Sequence, residues 1–267
     1  MFHNLAQLTR YRGLIQSLVA RELKARYRGS VLGFFWSFIN PLLLLLIYTF
    51  VFTAVMPSRF EGIEKGYSIF LFCGILPWTW FSSSLIESAN VLMSGGNLIK
   101  KVLFPAEVLP IVTVLANLVH FFLGLPILVL FLVIYKHPPD LVGLAWFPVV
   151  VLVQLVLTLG LSFLVSALTV HFRDIKDILS NLLTFWFFAT PIIYPISMIV
   201  KPKPWAKPLF DANPFTHLAI SYQEILYWPG PFGHWMWLLA LGAASILVFL
   251  AGYFVFDRLR DSFAEEV

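Results

Sequence analysis

Long runs of apolar residues alternate with short polar segments along the whole chain. About 20 apolar residues in a helix span a hydrocarbon core of about 30 Å, which is longer than most helices of water-soluble domains. The pattern therefore predicts an all-α integral membrane protein with six transmembrane helices. The predicted spans are residues 31–56, 67–93, 109–135, 146–171, 178–200 and 235–256.

The segment that precedes the first span, residues 1–30, has the pattern of an amphipathic helix. At 100° per residue, an apolar arc faces a polar and basic arc. The apolar arc comprises Leu8, Tyr11, Ile15, Leu18 and Val19, and the polar arc comprises Arg10, Ser17, Arg21, Lys24 and Arg28. Such a helix lies in the membrane interface, either as an anchor for anionic lipid or as a contact for a partner as well. Gly29-Ser30 and Gly33 join it to the first span.

Proline and glycine mark the irregular parts of the chain. Gly74 and Pro77 are expected to interrupt the second span near its start, and Pro191 and Pro195 are expected to kink or divide the fifth. The apolar segment 97–104 is too short to cross a membrane, so it is predicted to form one or two helical turns on the membrane face. Residues 201–233 are rich in Pro and Trp and are predicted to form short helices that cap or re-enter the membrane, within a cap comprising residues 191–233.

Composition supports the membrane assignment. Of the 267 residues, 60% are hydrophobic and only 12% are charged, too few to cover the surface of a soluble domain of this length. The 18 Lys and Arg lie beside the apolar runs, where they act as orientation signals rather than as a nucleic-acid surface. Most of them fall on the side of the two termini, so both termini, with the tail 258–267, are predicted to be cytoplasmic.

The chain lacks the sequence signals of a catalytic, cofactor-binding or metal site. It contains no Gly-Lys dipeptide, so the phosphate-binding loop of nucleotide hydrolases is absent. Its six histidines never have metal-helix spacing, and Cys73 is the only cysteine. We therefore expect a non-enzymatic subunit without a bound cofactor.

A few polar residues fall within the predicted spans. Glu87 and His120 are either hydrogen-bonded groups packed between helices or groups that line a polar path. Gln154, Thr158, Ser162 and Ser166 form a stripe that is typical of helix packing.

Aromatic residues are frequent, at 17% of the chain. Aromatic faces stack on the apolar faces of sugar rings and therefore suit a conduit for a sugar polymer, although most are expected in the core or the interface belts. The candidates for the conduit are Phe35, Trp36, Tyr48, Trp78, Phe185, Phe188 and Tyr194.

The order of several short motifs resembles the membrane subunit of type 2 ABC exporters for bacterial polysaccharides. The motifs are Arg21-Glu-Leu-Lys-x-Arg-Tyr-x-x-Ser-x-Leu-Gly-x-x-Trp-x-x-x-x-Pro41, Phe104-Pro, Phe172-Arg-Asp-Ile, Thr190-Pro-Ile-Ile-Tyr and Asn213-Pro214. The resemblance covers essentially the whole chain and is strongest to exporters of lipopolysaccharide O-antigen, with teichoic-acid and capsule exporters as neighbours.

The resemblance implies a complex in the bacterial inner membrane. Two copies of this chain would join two separate ABC ATPase subunits, which bind ATP and Mg, and would export a polyprenyl-pyrophosphate-linked glycan. It also implies roles for three groups of residues. The amphipathic helix would be a cytoplasmic gate, the turn 97–104 would couple to the ATPase, and the region 191–228 would be a periplasmic gate.

The residues assigned to these roles follow. The gate cations Arg21, Lys24, Arg26 and Arg28 are also candidates for holding pyrophosphate, because Arg side chains match phosphate oxygens. ATPase coupling is assigned to Asn97, Leu98, Ile99, Lys100, Lys101 and Phe104. The helix break and periplasmic gate are assigned to Pro191, Pro195, Asn213 and Pro214.

Three alternatives remain. The same architecture could carry teichoic acid, capsule, a lipid or a drug. A secondary transporter or channel would show inverted repeats and paired membrane ionisable residues, and neither is found in the sequence. A lipid-carrier enzyme would need clustered carboxylates, for which Asp174 and Asp177 are the only candidate pair, and their neighbours Arg173 and Lys176 favour a solvated loop.

Overall fold

The computed structural model describes residues 11–55, 66–100 and 104–266, and every regular element within these ranges is helical. The first helices are α1 (Arg12–Arg26), α2 (Trp36–Phe50), α3 (Tyr67–Ser94), α4 (Gly96–Ile99), α5 (Val108–Ile134), α6 (Leu141–Leu144) and α7 (Phe147–His171). They are followed by α8 (Ile175–Phe188), α9 (Ser197–Val200), α10 (Lys207–Ala212), α11 (Pro214–Leu226), α12 (Trp235–Leu259) and α13 (Phe263–Glu266). A 3₁₀ turn, Gly33–Phe35, precedes α2, and a π turn, Val51–Val55, follows it.

Four helices in the described ranges are long and apolar enough to cross a membrane, namely α3, α5, α12 and the segment Leu141–His171 that contains α6 and α7. These correspond to the second, third, sixth and fourth predicted spans. The other two apolar runs form shorter helices, because α2 has 15 residues before its π turn and α8 has 14 residues. The one-turn helix α6 was not predicted. Asp140 caps it by accepting hydrogen bonds from the backbone of Val142 and Gly143.

The centre of the fold is α3, and its expected interruption at Gly74 and Pro77 is wrong. This helix runs unbroken from Tyr67 to Ser94 with Pro77 inside it. The Pro77 carbonyl accepts a hydrogen bond of 2.8 Å from Gln154 Nε2 on α7. A Cβ at Gly74 would lie 2.9 Å from the Ile192 side chain and 3.2 Å from its Cα. Gly74 is therefore explained by close packing against Ile192 and not by a break.

Helices α7 and α12 cross with their backbones almost in contact. A Cβ on Gly252 would lie 2.1 Å from the Gly160 carbonyl oxygen, and a Cβ on Gly160 would lie 2.6 Å from the backbone of Phe249. Both positions therefore require glycine. The polar stripe of α7, comprising Gln154, Thr158, Ser162 and Ser166, is fully buried in the protein, which agrees with the predicted role in packing.

The fifth apolar run is divided, as its prolines predict. Helix α8 ends at Phe188, and an irregular segment containing Pro191 and Pro195 separates it from the single turn of α9. The chain then continues through α10 to α11, which packs against α3, α7 and α12. The predicted set of short helices before the last span is thus present.

Candidate functional site

Helix α1 packs on another helix of the protein rather than only on the membrane. Its buried residue Leu18 contacts Val108 and Val112 of α5, and Ile15 and Val19 pack beside it. The predicted interfacial helix therefore packs part of its apolar side on the protein itself, which neither predicted role had specified. The join to α2 matches its prediction, because Gly29 and Gly33 have φ values of 82° and 50°, in the left-handed region that favours glycine.

Arg26 points inward from the end of α1 and forms a polar cluster with α3 and α5. One guanidinium nitrogen donates to Asn117 Oδ1 at 3.0 Å, and the other forms a hydrogen-bonded ion pair with Glu87 Oε2. The Asn117 amide donates to the same Glu87 oxygen at 2.7 Å and to the Thr113 carbonyl at 3.1 Å. The charge of Glu87 is therefore balanced by Arg26, and three helices are tied together at one carboxylate.

Tyr27 extends this cluster towards α2. Ser37 Oγ donates to the Tyr27 hydroxyl at 2.6 Å, and that hydroxyl lies 3.3 Å from His120 Nδ1 on α5. We call Arg26, Tyr27, Ser37, Glu87, Asn117 and His120 the α1 cluster. It uses both ionisable residues that the sequence analysis identified within the spans. For Glu87, it decides the open choice in favour of a hydrogen-bonded group between helices.

The sequence analysis did not pair Arg26 with Glu87, although a signal was available. At 100° per residue, Arg26 falls on the apolar arc of α1, with Ile15 and Val19, and not with Arg21, Lys24 and Arg28. A cation on the face that packs against α5 requires an anionic partner there. Glu87 was the acidic residue within a predicted span, so the pair could have been inferred.

The four predicted gate cations are divided into two groups by the structure. Arg21, Lys24 and Arg28 are exposed on the outer face of α1, whereas Arg26 is partly buried in the α1 cluster. The three exposed cations are available to an anion. The guanidinium of Arg26 already has a carboxylate and an amide oxygen as acceptors.

Helices α2 and α3 line two cavities. The first cavity, of about 230 Å³, lies between the α1 cluster, α2, α3 and α5. The second cavity, of about 290 Å³, lies between α2, α3 and α8. Both are bounded by Leu44, Ile75 and Thr79, so they adjoin each other along one face of α3. Among the predicted conduit residues, Trp36 lines the first cavity, and Tyr48, Trp78 and Phe188 line the second.

The other predicted conduit aromatics lie elsewhere. Phe35 and Phe185 are exposed on the surface of the chain, with 68% and 71% of their surface accessible. Tyr194 is half-buried in the irregular segment after α8, where its hydroxyl donates to the Phe188 carbonyl at 2.8 Å. Phe188 is itself 56% accessible, so it borders the second cavity and also faces outward.

Within the segment 97–104, for which a helical turn was predicted, the structure contains the single turn α4, and residues 101–103 lie outside the described residues. Leu98, Ile99 and Phe104 pack into an apolar cluster with Leu109 and Phe263, and Lys100 is exposed. Phe104 also packs against the cluster of Leu18, Val108 and Val112, so Phe104 and α1 belong to one apolar cluster. The side chain of Asn97 and all of Lys101 lie outside the described residues.

Asn213 ties the break after α8 to the start of α11. Its Oδ1 accepts from Trp186 Nε1 at 2.7 Å and from the Phe215 backbone at 3.0 Å, which caps α11. Its amide nitrogen donates to Thr190 Oγ1 at 3.0 Å. Pro214 occupies the first turn of α11, where its missing N–H costs nothing. We call Trp186, Thr190, Asn213 and Pro214 the break clamp.

The irregular segment itself is held from two sides. The Gln223 amide donates to the Pro191 carbonyl at 2.8 Å, and the Tyr67 hydroxyl donates to the Ile193 carbonyl at 2.9 Å. Pro191 and Pro195 are both buried. The carbonyls of this broken helix are thus hydrogen-bonded by protein groups, as a break at membrane depth requires.

A histidine pair lies between α11 and the start of α12. His217 Nδ1 is 2.9 Å from His234 Nε2, and His217 Nε2 is 2.9 Å from the Asp211 carbonyl. Trp237 stacks on His217 with ring centroids 4.6 Å apart. Burial, together with the neighbouring His217, lowers the pKa of His234 to about 4.

The α1 cluster, the adjoining cavities and the divided fifth run are features of a polytopic membrane permease with a surface helix docked on it. Residues 13–227 match the family described as "ABC-2 type transporter", and the chain belongs to this family.

Relatives that match over most of their length include proteins named for polysaccharide export. The chain is 43% identical over 272 residues to the O-antigen export system permease protein RfbA of Myxococcus xanthus, and the match covers all of both chains. It is 32% identical over 252 residues to the RfbA protein of Klebsiella pneumoniae, covering 94% of each chain. The chain is 26% identical over 221 residues to the polysialic acid transport protein KpsM of Escherichia coli, and the match covers 79% of this chain and 80% of the relative.

Proposed function

We propose that this chain is the membrane subunit of an ATP-driven exporter that moves a polyprenyl-pyrophosphate-linked polysaccharide, O-antigen, across the bacterial inner membrane. The observation that carries this proposal is the full-length, 43% identity to an O-antigen export permease. The arrangement of the α1 cluster and the two cavities is compatible with that role, because a helix held at a membrane surface adjoins a polar and aromatic passage.

The proposal includes an assembly and a topology. Two copies of the chain act with two separate ATPase subunits, which bind ATP and Mg. Six spans arise when α2 and α8 complete the four long helices, and both termini are cytoplasmic, as the distribution of Lys and Arg predicts. This orientation places α1 and α4 on the cytoplasmic face and the break clamp towards the periplasm.

The mechanism starts at the coupling turn. Closure of the ATPase subunits pushes on the turn 97–104, and the apolar cluster that Phe104 shares with Leu18 passes the movement to α1. Movement of α1 separates Arg26 from Glu87, and α2 and α8 then part to widen the passage between them. Trp36, Tyr48, Trp78 and Phe188 border that passage and offer aromatic faces to successive sugars.

The exposed cations of α1 are the proposed site for the pyrophosphate group. Arg21, Lys24 and Arg28 have no carboxylate partner among the described residues, and their positive charge attracts the phosphate oxygens. Arg26 is left out of this role because it is paired with Glu87. It holds α1 in place until the cargo and the ATPase act together.

Complementation tests the function. The gene for this chain is deleted in its own strain, and surface polysaccharide is measured by gel electrophoresis and immunoblotting after the chain is restored with its neighbouring ATPase. We expect O-antigen to return to the surface with the intact ATPase and to remain inside when the ATPase carries a Lys→Ala substitution in its phosphate-binding loop. Return of a capsule polymer, or export without a working ATPase, would contradict the proposal.

A charge-matched pair of variants tests the pyrophosphate site. Replacement of Arg21, Lys24 and Arg28 by Gln should reduce export at least about tenfold, since each charge-assisted hydrogen bond contributes about 1.5 to 3 kcal/mol. Replacement of Lys201, Lys203 and Lys207 by Gln removes the same charge from the opposite end and should leave export unchanged. Equal export by both variants would remove the headgroup role from α1.

A further inference from the structure

The single turn α4 depends on packing contacts for its position. It contains only the four residues Gly96–Ile99, and a helix of this length is not stable in isolation. The backbone N–H groups of Leu98 and Ile99 donate to the Gly95 carbonyl at 2.8 and 3.2 Å. Helix α4 packs against α3, which precedes it, and against α13, which follows the last long helix. Contacts with α13 therefore help to fix α4.

The buried residue of α13 is Phe263, with none of its surface accessible. Leu98 and Ile99 of α4 pack against the apolar cluster that contains Phe263. The ring centroid of Phe263 lies 5.1 Å from that of Phe256 on α12, and the Phe256 centroid lies 5.2 Å from that of Phe163 on α7. These three rings connect α13 to α12 and α7, whose backbones are almost in contact with each other. Helix α13 therefore joins α4 to a closely packed pair of helices.

Polar contacts fix the segment just before α13 as well. Ser262 Oγ lies 3.1 Å from His171 Nε2, at the end of α7. Arg260 Nη1 lies 4.0 Å from Glu107 Oε1, just before α5. Glu107 is buried, and a buried carboxylate is stabilised by a nearby cation. Residues 260–266 thus approach the coupling turn at α4 on one side and at Glu107 on the other.

We propose that Arg260, Ser262 and Phe263 support the coupling turn against the push of the ATPase, and that Phe263 is the positioning residue. This inference depends on the proposed function. Phe104 packs against the cluster that contains Phe263 and also against the cluster that contains Leu18 of α1. Because Phe263 is held by α12 and α7, α4 cannot sink towards these helices, and the push is passed on through Phe104 to α1. Without the Phe263 ring, α4 moves into the space that the ring leaves.

Burial separates this role from direct docking of the ATPase. Phe263 has no accessible surface, so it can act on a partner only through the residues around it. Among the described side chains of residues 261–266, those of Asp261 and Glu266 are exposed, and they would be the groups in contact if this segment were a docking surface. The double variant Asp261→Asn, Glu266→Gln should therefore leave export unchanged. A loss of export in this variant would assign the segment to docking and overturn the support.

The ratio of export to ATP hydrolysis tests the support. ATP hydrolysis is measured on the purified complex of this chain with its neighbouring ATPase, and export is measured in cells as glycan reaching the surface per complex. Phe263→Ala should retain ATP hydrolysis and lower export at least about fivefold, because truncation of a buried Phe leaves a cavity into which α4 can shift. Phe263→Leu keeps most of the apolar volume and should restore about half of the export or more.

Phe249→Ala is the matched control. Phe249 packs against the same apolar cluster, with its ring centroid 5.9 Å from that of Phe163, but it lies in the middle of α12. This variant removes an equal volume from the cluster away from α4, so the ratio of export to ATP hydrolysis should not change. Equal ratios for the two alanine variants would overturn the support. Loss of the ATPase from the Phe263→Ala complex would also overturn it, because that result assigns α13 to docking.

Hydrogen exchange of the backbone amides of Leu98 and Ile99 gives a second measurement on the same complexes. These amides should exchange at least about fivefold faster in Phe263→Ala, because local opening of α4 controls their exchange, and at the parent rate in Phe249→Ala. Faster exchange with unchanged export would leave Phe263 a structural role only and overturn its part in transport.

Arg260→Gln decides the case if Phe263→Ala yields no complex. The Arg260 side chain is 37% accessible, so its replacement leaves the packing of the core intact. Glu107 loses the cation beside it, and export should fall at least about twofold with ATP hydrolysis retained. Unchanged export would overturn the support. Absence of ATP-dependent export with the parent chain would instead refute the proposed function, whereas normal export by the parent and by all variants would overturn the support alone.

Discussion

The two ends of α3 are held by different chemistry. Near its C-terminal end, the α1 cluster joins α1, α3 and α5 through the ion pair of Arg26 with Glu87. Towards its N-terminal end, the break clamp and the Tyr67 hydroxyl hold the irregular segment after α8 through neutral hydrogen bonds. An ion pair weakens when another charge approaches one of its partners. A neutral buried hydrogen bond is not affected by charge in this way, and only water competes for its donor and acceptor. We therefore expect the ion pair of the α1 cluster to break during transport and the hydrogen bonds within the break clamp to persist.

The largest effect is expected at the break clamp. Asn213→Ala leaves the Trp186 N–H without an acceptor, which costs about 1 to 3 kcal/mol, and removes the cap of α11, which costs about 1 kcal/mol more. The purified protein in detergent should unfold at a clearly lower temperature. Asn90→Ala is the matched control, because Asn90 is exposed on α3. An unchanged unfolding temperature for Asn213→Ala would mean that the clamp does not stabilise the break.

A smaller effect is expected at the α1 cluster. Glu87→Gln keeps an acceptor for Arg26 but removes the charge, at a cost of about 1 kcal/mol, or roughly fivefold in the opening of α1. A Leu18→Cys reporter is buried under α1 and should react correspondingly faster with a water-soluble maleimide. The native Cys73 is 1% accessible, so it should contribute little signal. Asp177→Asn, which removes an exposed carboxylate on α8, should not change the rate.

Lowering the pH should protonate His234 and so add positive charge to the region that neutral hydrogen bonds hold together. Burial lowers the pKa of His234 to about 4, below its unfolded value of about 6.5, so the unfolded chain binds more protons between these values. Stability should therefore fall as the pH is lowered from about 6.5 to 4, by roughly 2 to 4 °C in unfolding temperature. His234→Gln should flatten this slope, and His171→Gln should not. An unchanged slope for His234→Gln would assign the acid sensitivity to another group.

The smallest effect is expected for an exposed charge at the same end. Lys207 Nζ lies 2.6 Å from Asp211 Oδ2, but it is a surface pair within one helix. Lys207→Ala should change stability by less than about 0.5 kcal/mol, as for most such pairs. A larger loss would show that charge matters at both ends of α3 and would remove the contrast drawn above.

The apolar runs were sufficient to predict the long helices, because the length of an apolar run can be read from the sequence without knowledge of tertiary contacts. The glycine join before α2 and the division at Pro191 and Pro195 were also predictable, since each depends on the conformational limits of one residue type. The uninterrupted course of α3 was not, because the packing that holds α3 comes from helices far away in the sequence, such as α7 with Gln154.

The residues of the candidate site were identified one by one from the sequence, but their association was not predicted. Glu87 and His120 were identified as polar residues within spans, and Arg26 was identified as a gate cation. Their association depends on how α1 packs against α5, which joins residues far apart in the sequence. The aromatic candidates show the same limit. Trp36 and Phe35 are neighbours, yet one lines a cavity and the other faces outward, a difference that helix packing decides.

The contact between Gly160 and Gly252 fixes the position of α7 against α12. Since the two backbones touch without an intervening side chain, α7 and α12 cannot slide past each other unless one backbone lifts over the other. These two helices form a rigid frame. We therefore expect the displacement that opens a path to involve helices outside this pair, such as α1, α2 and α8.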